Sequence, residues 1–224
     1  MLLMNAKKGF TLIELLCVVA IMVVLMALII PAVQSTGAST LTTSGARLSS
    51  FFESARQTAI VTRQPVAVAM LPADSNSVQR FTALGYSGSS SWTQISKWNS
   101  FPPGILAASG TEYYGATYSF QDAFAPGNSP TLLYPLPSLS YSGATYQPNS
   151  TYGYIVFLAD GSLFQDGNGH PPIPCMLRLA QGITNGNGGV QRYTGPANPT
   201  NGGPANFCDI IVDNATGQVK IMRP

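Results

Sequence analysis

The sequence predicts an α+β fold in which a long N-terminal helix packs on a C-terminal antiparallel β-domain. An apolar run extends from Leu15 to Val33, close to the roughly 20 apolar residues that a helix needs to cross a bilayer. Residues 41–63 continue with an amphipathic pattern of helical period. Beyond Pro65, short β-type segments alternate with turn residues. These three observations predict a helix with a transmembrane first half and a second half that packs on the β-domain.

The helix is predicted to run from Phe10 to about Arg63. In its second half, 35–64, apolar residues recur at three- and four-residue steps and form one face: Leu48, Phe51, Phe52, Ala55 and Ala59. Because proline lacks a backbone donor, Pro31 should kink the helix. Pro65 should end it, since the residue before a proline avoids the helical region.

Residues 65–224 are predicted to form a β-rich domain with long loops. The segments of strand character are 66–71, 78–86, 112–120, 152–158, 175–180, 207–212 and 218–222. The first two flank the polar turn 74–77 and should form a hairpin. The longer polar stretches are expected to be loops: 86–91, 125–130, 135–150 and 185–206.

Composition and charge narrow the class of protein. Only 9% of residues are charged, and the chain has 22 Gly and 17 Pro. Few charges with many turn formers favour an exported, loop-rich domain over a cytosolic helical one. Beyond Met70 the chain has six Lys/Arg and seven Asp/Glu, so attraction to nucleic acid through bulk charge is not expected.

The residues offer no catalytic constellation, so neither an enzyme nor a cofactor is predicted. His170, the only histidine, lies among Gly and Pro and is expected to be an exposed loop residue. Asp160, Asp166 and Asn168 weakly resemble an oxygen-rich Ca²⁺ loop, but their spacing differs from that of an EF-hand. Two β-turns explain these residues better, and no metal site is predicted.

The head of the helix has an unusual order of residues. Lys7 and Lys8 precede Gly9 and Phe10, and Glu14 is a lone carboxylate at the start of the apolar run. A charge inside a membrane costs about 2.5–3.5 kcal/mol on insertion scales, so Glu14 should have a positive partner. This segment could also be a secretory signal peptide or a plain single-span anchor. Neither of these explains Gly9-Phe10 together with Glu14. All three interpretations place the lysines in the cytoplasm and the rest of the chain outside.

The segment GFTLIELL, residues 9–16, resembles the class III signal of type IV pilins and type II secretion pseudopilins. The resemblance implies that residues 1–9 are a leader, which a prepilin peptidase removes after Gly9, and that Phe10 is then N-methylated. It implies that Glu14 faces the N-terminal amine of a neighbouring subunit during filament assembly, and that Pro31 is the kink proline of such helices. Residues 10–34 would then be the transmembrane and assembly helix, and 35–64 its amphipathic continuation.

Residues 48–70 are similar to the helix end and first strand of the H-type minor pseudopilins. The matching residues are Ala55, Arg56, Ala59, Arg63 and Pro65-Val66. A helix with scattered basic residues that runs into a strand is the plainer interpretation. The resemblance implies a structural minor pseudopilin of a type II secretion-like periplasmic filament, assembled with other pseudopilin or pilin subunits at an inner-membrane platform. It also implies a single-pass inner-membrane protein with a cytoplasmic N-terminus and a periplasmic domain.

The second-ranked function is a minor pilin of a type IV pilus involved in DNA uptake or adhesion. In the DNA-binding relatives, a basic C-terminal tail with a GRxR-like element carries binding. Here the tail reads GQVKIMRP, with Lys220 and Arg223 but with Gln218 where an arginine would sit. Two cations supply little phosphate-contact energy, so no nucleic-acid partner is expected. An exported enzyme tethered by its helix is a third class, with no site to support it.

The three cysteines have different expected roles. Cys17 lies in the predicted membrane helix and is expected to be a small apolar residue. Cys175 and Cys208 both lie in strand-like segments of the exported domain, and an even pair in an oxidising compartment favours a disulfide. Two buried thiols are the alternative, because a sequence does not show whether two Cα atoms come close enough to be bridged.

Overall fold

The computed structural model describes residues 12–88, 91–107, 112–114, 118–120, 136–148, 150–165, 175–184, 192–194 and 204–223; of residues 26–38, 112–114, 118–120 and 192–193 it describes the backbone only. The chain divides into two compact units, 1–39 and 40–224. The two units are described separately below.

In the first unit the described backbone is helical. It belongs to α1, a helix that begins at Leu12 and ends at Thr62. The side chains of residues 12–25 are all exposed, and the exposed fraction of the large apolar ones ranges from 83% at Leu12 to 48% at Val18. Among the residues that the structure describes, no helix combines the length and the apolarity that a membrane crossing requires. The transmembrane assignment of 10–34 therefore stays a prediction.

The second unit combines the end of α1 with short antiparallel strands. These are β1 (Val66–Met70), β2 (Arg80–Ser87), β3 (Ser91–Gln94), β4 (Asn99–Ser100), β5 (Ile105–Ala107), β6 (Glu112–Tyr114), β7 (Tyr118–Phe120), β8 (Leu139–Tyr141), β9 (Ala144–Tyr146), β10 (Gly153–Phe157), β11 (Cys175–Ile183), β12 (Arg192–Tyr193), β13 (Phe207–Val212) and β14 (Val219–Met222). One sheet has the order β10-β1-β2-β3, with β4 also on β2, and is called the first sheet. The second sheet has the order β12-β11-β13-β14, with β5 also on β11. The mixed fold of a helix and antiparallel sheets confirms that part of the predicted fold class.

The main core lies where α1 packs on both sheets. The helix buries Leu48, Phe52, Ala55 and Ala59, each at most 4% exposed, which are four of the five residues of the predicted apolar face. The fifth, Phe51, is half-buried, and its ring stacks edge-to-face on Phe81 of β2 at a centroid distance of 4.9 Å. Alternate residues of the strands complete this core: Val66, Val68 and Met70 of β1, Ile155 and Phe157 of β10, Leu177 and Leu179 of β11, and Ile210 and Val212 of β13.

A smaller core covers the opposite face of the first sheet. It contains the other side chains of β1, because neighbouring residues of a strand point to opposite faces: Ala67, Ala69 and the adjoining Leu71, together with Tyr152, Tyr154 and Val156. The β8–β9 hairpin contributes Leu139, Tyr141 and Tyr146 to this layer. The prediction of a plain loop at 135–150 is therefore wrong. Ser142 and Gly143 have φ angles of 49° and 82°, the left-handed pair that a tight hairpin turn requires.

The predicted hairpin between 66–71 and 78–86 is confirmed. β1 and β2 pair in antiparallel register, with Val68 opposite Ala83. Asp74 organises the turn, since its carboxylate accepts hydrogen bonds from the backbone N–H of Asn76 at 2.9 Å and of Val78 at 3.0 Å. Arg80 Nη1 donates to the same carboxylate at 2.8 Å. Burial acts to raise the pKa of Asp74, but these hydrogen bonds outweigh it and lower the pKa below its ordinary value.

One predicted strand is two strands in the structure. The segment 112–120 forms the hairpin β6–β7, in which Tyr113 pairs with Ser119. The sequence between the two strands is Gly115, Ala116 and Thr117, and a glycine at this place is a turn signal.

Candidate functional site

Glu14 is the one predicted assembly residue whose side chain the structure describes. It lies in the first turn of α1 and is exposed, between the exposed Ile13 and Leu15. In the sequence it is the only charged residue between Lys8 and Arg47. A carboxylate in the first turn is favoured by the positive end of the helix dipole. The helix therefore carries one negative charge among exposed apolar side chains.

The structure does not describe the side chains of the other predicted residues of this region. Gly9 and Phe10 lie outside the described residues. Pro31 lies within α1, whose backbone is helical on both sides of it, and its side chain is outside the description. Cleavage after Gly9, methylation of Phe10 and a kink at Pro31 all stay predictions.

Arg56 joins α1 to the turn between β13 and β14. Its Nε donates to the carbonyl oxygen of Thr216 at 2.8 Å, and its Nη1 forms an ion pair with Glu53 at 3.0 Å. Ala55 and Ala59, on either side of it along the helix, are buried in the main core. The motif singled out in the sequence thus has a structural explanation: two alanines pack, and the arginine between them holds a hairpin turn 160 positions further along the chain.

Two glycines permit this contact. Gly161 and Gly217 both have positive φ angles, 87° and 64°, and a Cβ atom added at Gly217 would overlap the carbonyl oxygen of Gly161 and approach Arg56 Cδ to 3.1 Å. A Cβ at Gly161 would lie 2.8 Å from Ile60 Cδ1. The helix, the 158–163 turn and the β13–β14 turn therefore meet more closely than any larger residue at these two positions allows.

Arg63 ends the helix. Its φ of 54° is left-handed, and the N–H of Gln64 reaches back to the carbonyl oxygen of Ala59 at 3.2 Å, as at many helix C-termini. Pro65 follows and leads into β1. The predicted end of the helix before Pro65 is confirmed.

The weak calcium motif is a turn where the structure describes it. Asp160 accepts hydrogen bonds from the backbone N–H of Ser162 at 2.9 Å and from its Oγ at 2.6 Å. These hydrogen bonds lower the pKa of Asp160 below its ordinary value. Asp166, Asn168 and His170 lie outside the described residues. Within the described part of the chain, no group of three or more His, Cys, Asp or Glu side chains is placed to hold a metal ion.

The predicted disulfide is wrong in this structure. Cys175 and Cys208 lie on neighbouring strands, but Cys175 stands opposite Val212 and Cys208 stands opposite Leu179. Four residues of strand, about 13 Å at 3.3 Å per residue, therefore separate them along the sheet. Bridged cysteines have Cα atoms within about 7 Å of each other, so this register excludes the pair, and both residues are buried thiols.

Cys208 has a different role as a packing partner of the helix. A Cβ atom added at Gly45 of α1 would overlap Cys208 Sγ and would lie 3.4 Å from Cys208 Cβ. Burial raises the pKa of the Cys208 thiol, and Arg223, which hydrogen-bonds it, opposes the rise. A buried thiol with a raised pKa is little ionised and weakly reactive. Gly45 and Cys208 thus set the distance between α1 and β13.

The two C-terminal cations do not form one patch. Lys220 and Arg223 are both exposed, but they are three positions apart, so the alternation of strand side chains places them on opposite faces of the sheet. Arg223 lies on the face of Cys208 and interacts with its thiol, whereas Lys220 acts through its charge on Asp213 and helps to lower the pKa of that carboxyl. This arrangement does not favour the DNA-binding alternative.

A buried ion pair in the second sheet was not predicted. Arg178 of β11 and Asp209 of β13 stand opposite each other, with Nε–Oδ1 at 2.7 Å and Nη2–Oδ2 at 2.9 Å. Asp209 is fully buried, and the guanidinium lies 3.8 Å from the ring centroid of Phe207. The only sequence signal is one charged residue inside each of two apolar strands. The pair satisfies both charges within the sheet and identifies no reaction.

The comparison with protein families locates the resemblance at the N-terminus. The model of the prokaryotic N-terminal methylation motif matches residues 4–30. This match confirms the recognition of a pilin-like N-terminal signal in the segment that contains Gly9, Phe10 and Glu14. No curated protein matches the chain.

Two solved structures are similar to the chain. Both are of the minor pseudopilin EpsH from the type II secretion system of Vibrio cholerae. The first is 10% identical, with a TM-score of 0.42 over 82% of this chain and 97% of that chain. The second is 11% identical, with a TM-score of 0.41 over 83% of this chain and 97% of that chain. Likenesses of this size identify neither a function nor a partner for the present chain.

Proposed function

We propose that this chain, which carries the prokaryotic N-terminal methylation motif, is a structural subunit of a pilin-like filament and not an enzyme. A leader of residues 1–9 is removed by a prepilin peptidase, and Phe10 becomes the methylated N-terminus. The subunit is held in the inner membrane by residues 10–34, with its C-terminal domain in the periplasm, until it enters the filament with other pilin-like subunits.

The observation that carries this proposal is the position of Glu14 in the sequence. It lies inside the methylation motif and is the only charged residue between Lys8 and Arg47. A carboxylate in an apolar environment is strongly destabilised unless a cation compensates it. The new N-terminal amine of Phe10 on an adjacent subunit supplies that cation only after the leader is removed, which couples processing to assembly.

Within this class we place the subunit in a type II secretion-like filament, as a minor pseudopilin. The matching residues 55–66 support this assignment, since the structure gives Ala55, Arg56 and Ala59 distinct packing and bridging roles. The alternative of a DNA-uptake pilin is disfavoured by the separation of Lys220 from Arg223. Deletion of the gene should then lower the secretion of exported proteins and leave the uptake of duplex DNA unchanged.

The test of the assembly step is Glu14→Gln, which removes the charge and preserves the size of the side chain. The variant should be cleaved, inserted and folded normally, but its recovery in the assembled filament fraction should fall by about tenfold, the effect of losing a compensated charge worth about 1.4 kcal/mol. Glu112→Gln is the matched control, a glutamate of β6 that lies outside the methylation motif.

Two results would contradict the proposal. One is normal recovery of the Glu14→Gln variant in the filament fraction. The other is an intact mass of the membrane-extracted protein that corresponds to the uncut chain or to cleavage beyond Gly9, because either mass removes the amine that Glu14 is proposed to meet.

A further inference from the structure

β14 is an exposed strand at one side of the second sheet. Among the described strands it pairs only with β13. Lys220 and Arg223 are exposed, and the apolar residues between them, Ile221 and Met222, are 36% and 40% exposed. An edge strand with exposed apolar side chains is a template for pairing with a strand of another chain.

The hydrogen-bond pattern identifies the backbone groups that face outward. The N–H of Asp213 donates to the carbonyl oxygen of Gln218 at 2.9 Å, so this is a hydrogen-bonded pair of the hairpin. Such pairs alternate along an antiparallel ladder. The register then makes Lys220 and Met222 the residues bonded to β13, and it directs the N–H and C=O groups of Val219 and Ile221 away from β13.

A groove lies beside this strand on the side of the helix. It has a volume of about 440 Å³ and is lined by Ser49, Ser50, Glu53, Ser54 and Gln57 of α1 and by Val219 of β14. Side chains of a strand alternate between its two faces. Every second residue of a strand added to β14 would therefore point toward this groove, whose hydroxyl and amide groups suit small polar side chains.

The charge at the edge selects the partner. Lys220 and Arg223 are positive. The charge of Lys220 acts on the carboxylate of Asp213, which already accepts a hydrogen bond from Thr216. The acidic residue of the groove, Glu53, is paired with Arg56. A second copy of this chain would bring two further cations to the same edge, whereas a strand with carboxylates complements it.

We propose that β14 is a docking edge for an extended, carboxylate-bearing strand of a neighbouring subunit. The added strand pairs with the outward N–H and C=O groups of Val219 and Ile221. Its carboxylates lie near Lys220, and its small polar side chains point toward the groove. The inference rests on the proposed function for the source of the strand, since a filament supplies neighbouring subunits.

The test uses the full chain in detergent micelles and a fluorescent, end-blocked octapeptide of alternating Thr and Glu, followed by anisotropy. A Thr/Lys octapeptide of the same length is the control ligand. The Glu peptide should bind about three- to tenfold more tightly than the Lys peptide, the range for exchanging an attractive cross-strand charge pair for a repulsive one. Lys220→Glu should reverse this preference. Equal binding of the two peptides, or no saturable binding, would overturn the proposal.

A pair of variants at one position tests the backbone contact. Ile221→Pro removes the outward N–H but none that β13 uses, a place where proline is tolerated in edge strands. Ile221→Ala keeps the N–H and shortens the side chain. The Pro variant should lose about tenfold or more in affinity and the Ala variant much less, since only the former loses a backbone donor. Equal losses of affinity in the two variants would refute strand addition. Circular dichroism verifies that each variant is folded. If the Pro variant does not fold, the peptide preference of Lys220→Glu tests the proposal instead.

Other occupants give other results. Tighter binding of a duplex oligonucleotide than of the Glu peptide, lost on changing Lys220 and Arg223, would replace the proposal with nucleic-acid binding. Concentration-dependent dimerisation that Ile221→Pro abolishes would replace it with self-association. Glu14→Gln should leave peptide binding unchanged, so a failure of the filament proposal is distinguishable from a failure of this one.

Discussion

We expect stability to require a glycine at position 45 only because the Cys208 side chain faces it. A double-mutant cycle of the two residues measures this coupling. In Gly45→Ala, the new Cβ overlaps Cys208 Sγ, and overpacking of a tight core costs about 1–3 kcal/mol. Alanine is better than glycine in a helix by about 0.8–1.0 kcal/mol. The sum is a loss of stability of about 1 kcal/mol, within a range of roughly 0–2 kcal/mol.

The same substitution should change sign when the thiol is absent. In the Cys208→Ala background only the Cβ at position 208 remains, 3.4 Å from the new Cβ, which is an ordinary contact. Gly45→Ala should then stabilise the domain by about 1 kcal/mol through helix propensity alone. The difference between the two backgrounds, about 2 kcal/mol, is the coupling energy of the contact.

Urea unfolding measures this cycle, because both tryptophans, Trp92 and Trp98, pack on the smaller core and report on the β-domain. Gly88→Ala is the control, since a Cβ at Gly88 meets nothing within 4 Å, and it should change stability little in either background. The reasoning is refuted if Gly45→Ala has the same effect with and without the Cys208 thiol, as an effect of helix propensity alone would predict.

Three further predictions concern charges and thiols. Asp209→Ala should destabilise the domain by about 3–5 kcal/mol, because it leaves the Arg178 charge buried without its carboxylate; urea unfolding measures the loss, and replacing both residues by apolar ones should recover most of it. Cys175 and Cys208 should both react with a thiol reagent in the denatured protein and only slowly in the folded one, as read by intact mass, whereas a mass lower by two hydrogens and an absence of labelling would show a disulfide. The lowered pKa of Asp74 contributes stability that is present above the ordinary aspartate pKa and is lost as the pH falls through the lower folded value; Asp74→Asn should therefore flatten the acid limb of the stability–pH profile, and an unchanged limb would contradict this assignment.

Local chemistry made part of the fold predictable. The helix end before Pro65 and the turn at Asp74 depend on residues within a few positions of each other, and both were found as expected. The β8–β9 hairpin has an equally local signal in Ser142-Gly143, but its strands are only three residues long and are too short to show a clear alternation.

Register made the rest unpredictable. The sequence shows that Cys175, Arg178, Cys208 and Asp209 all lie in strands, but a shift of one residue would change every partner. The observed register joins Arg178 to Asp209 and separates the cysteines by four positions. The placement of Lys220 and Arg223 on opposite faces, in contrast, was predictable. They are three positions apart, and side chains alternate between the two faces of a strand if it continues to the last residues.

The contact between Arg56 and the carbonyl of Thr216 has a consequence for the order of events during export. It joins residues 160 positions apart, and β13 also buries its alternate residues against the helix. Closing so long a loop adds little to the equilibrium cost, about 0.6 kcal/mol for each doubling of loop length, but contacts of long sequence separation form slowly. If the domain is exported as proposed, the apolar face of residues 48–59 emerges early and remains uncovered until strands near residue 210 have followed. During that interval the nascent domain would expose a surface suited to a chaperone or to another subunit, so the timing of translocation would affect folding.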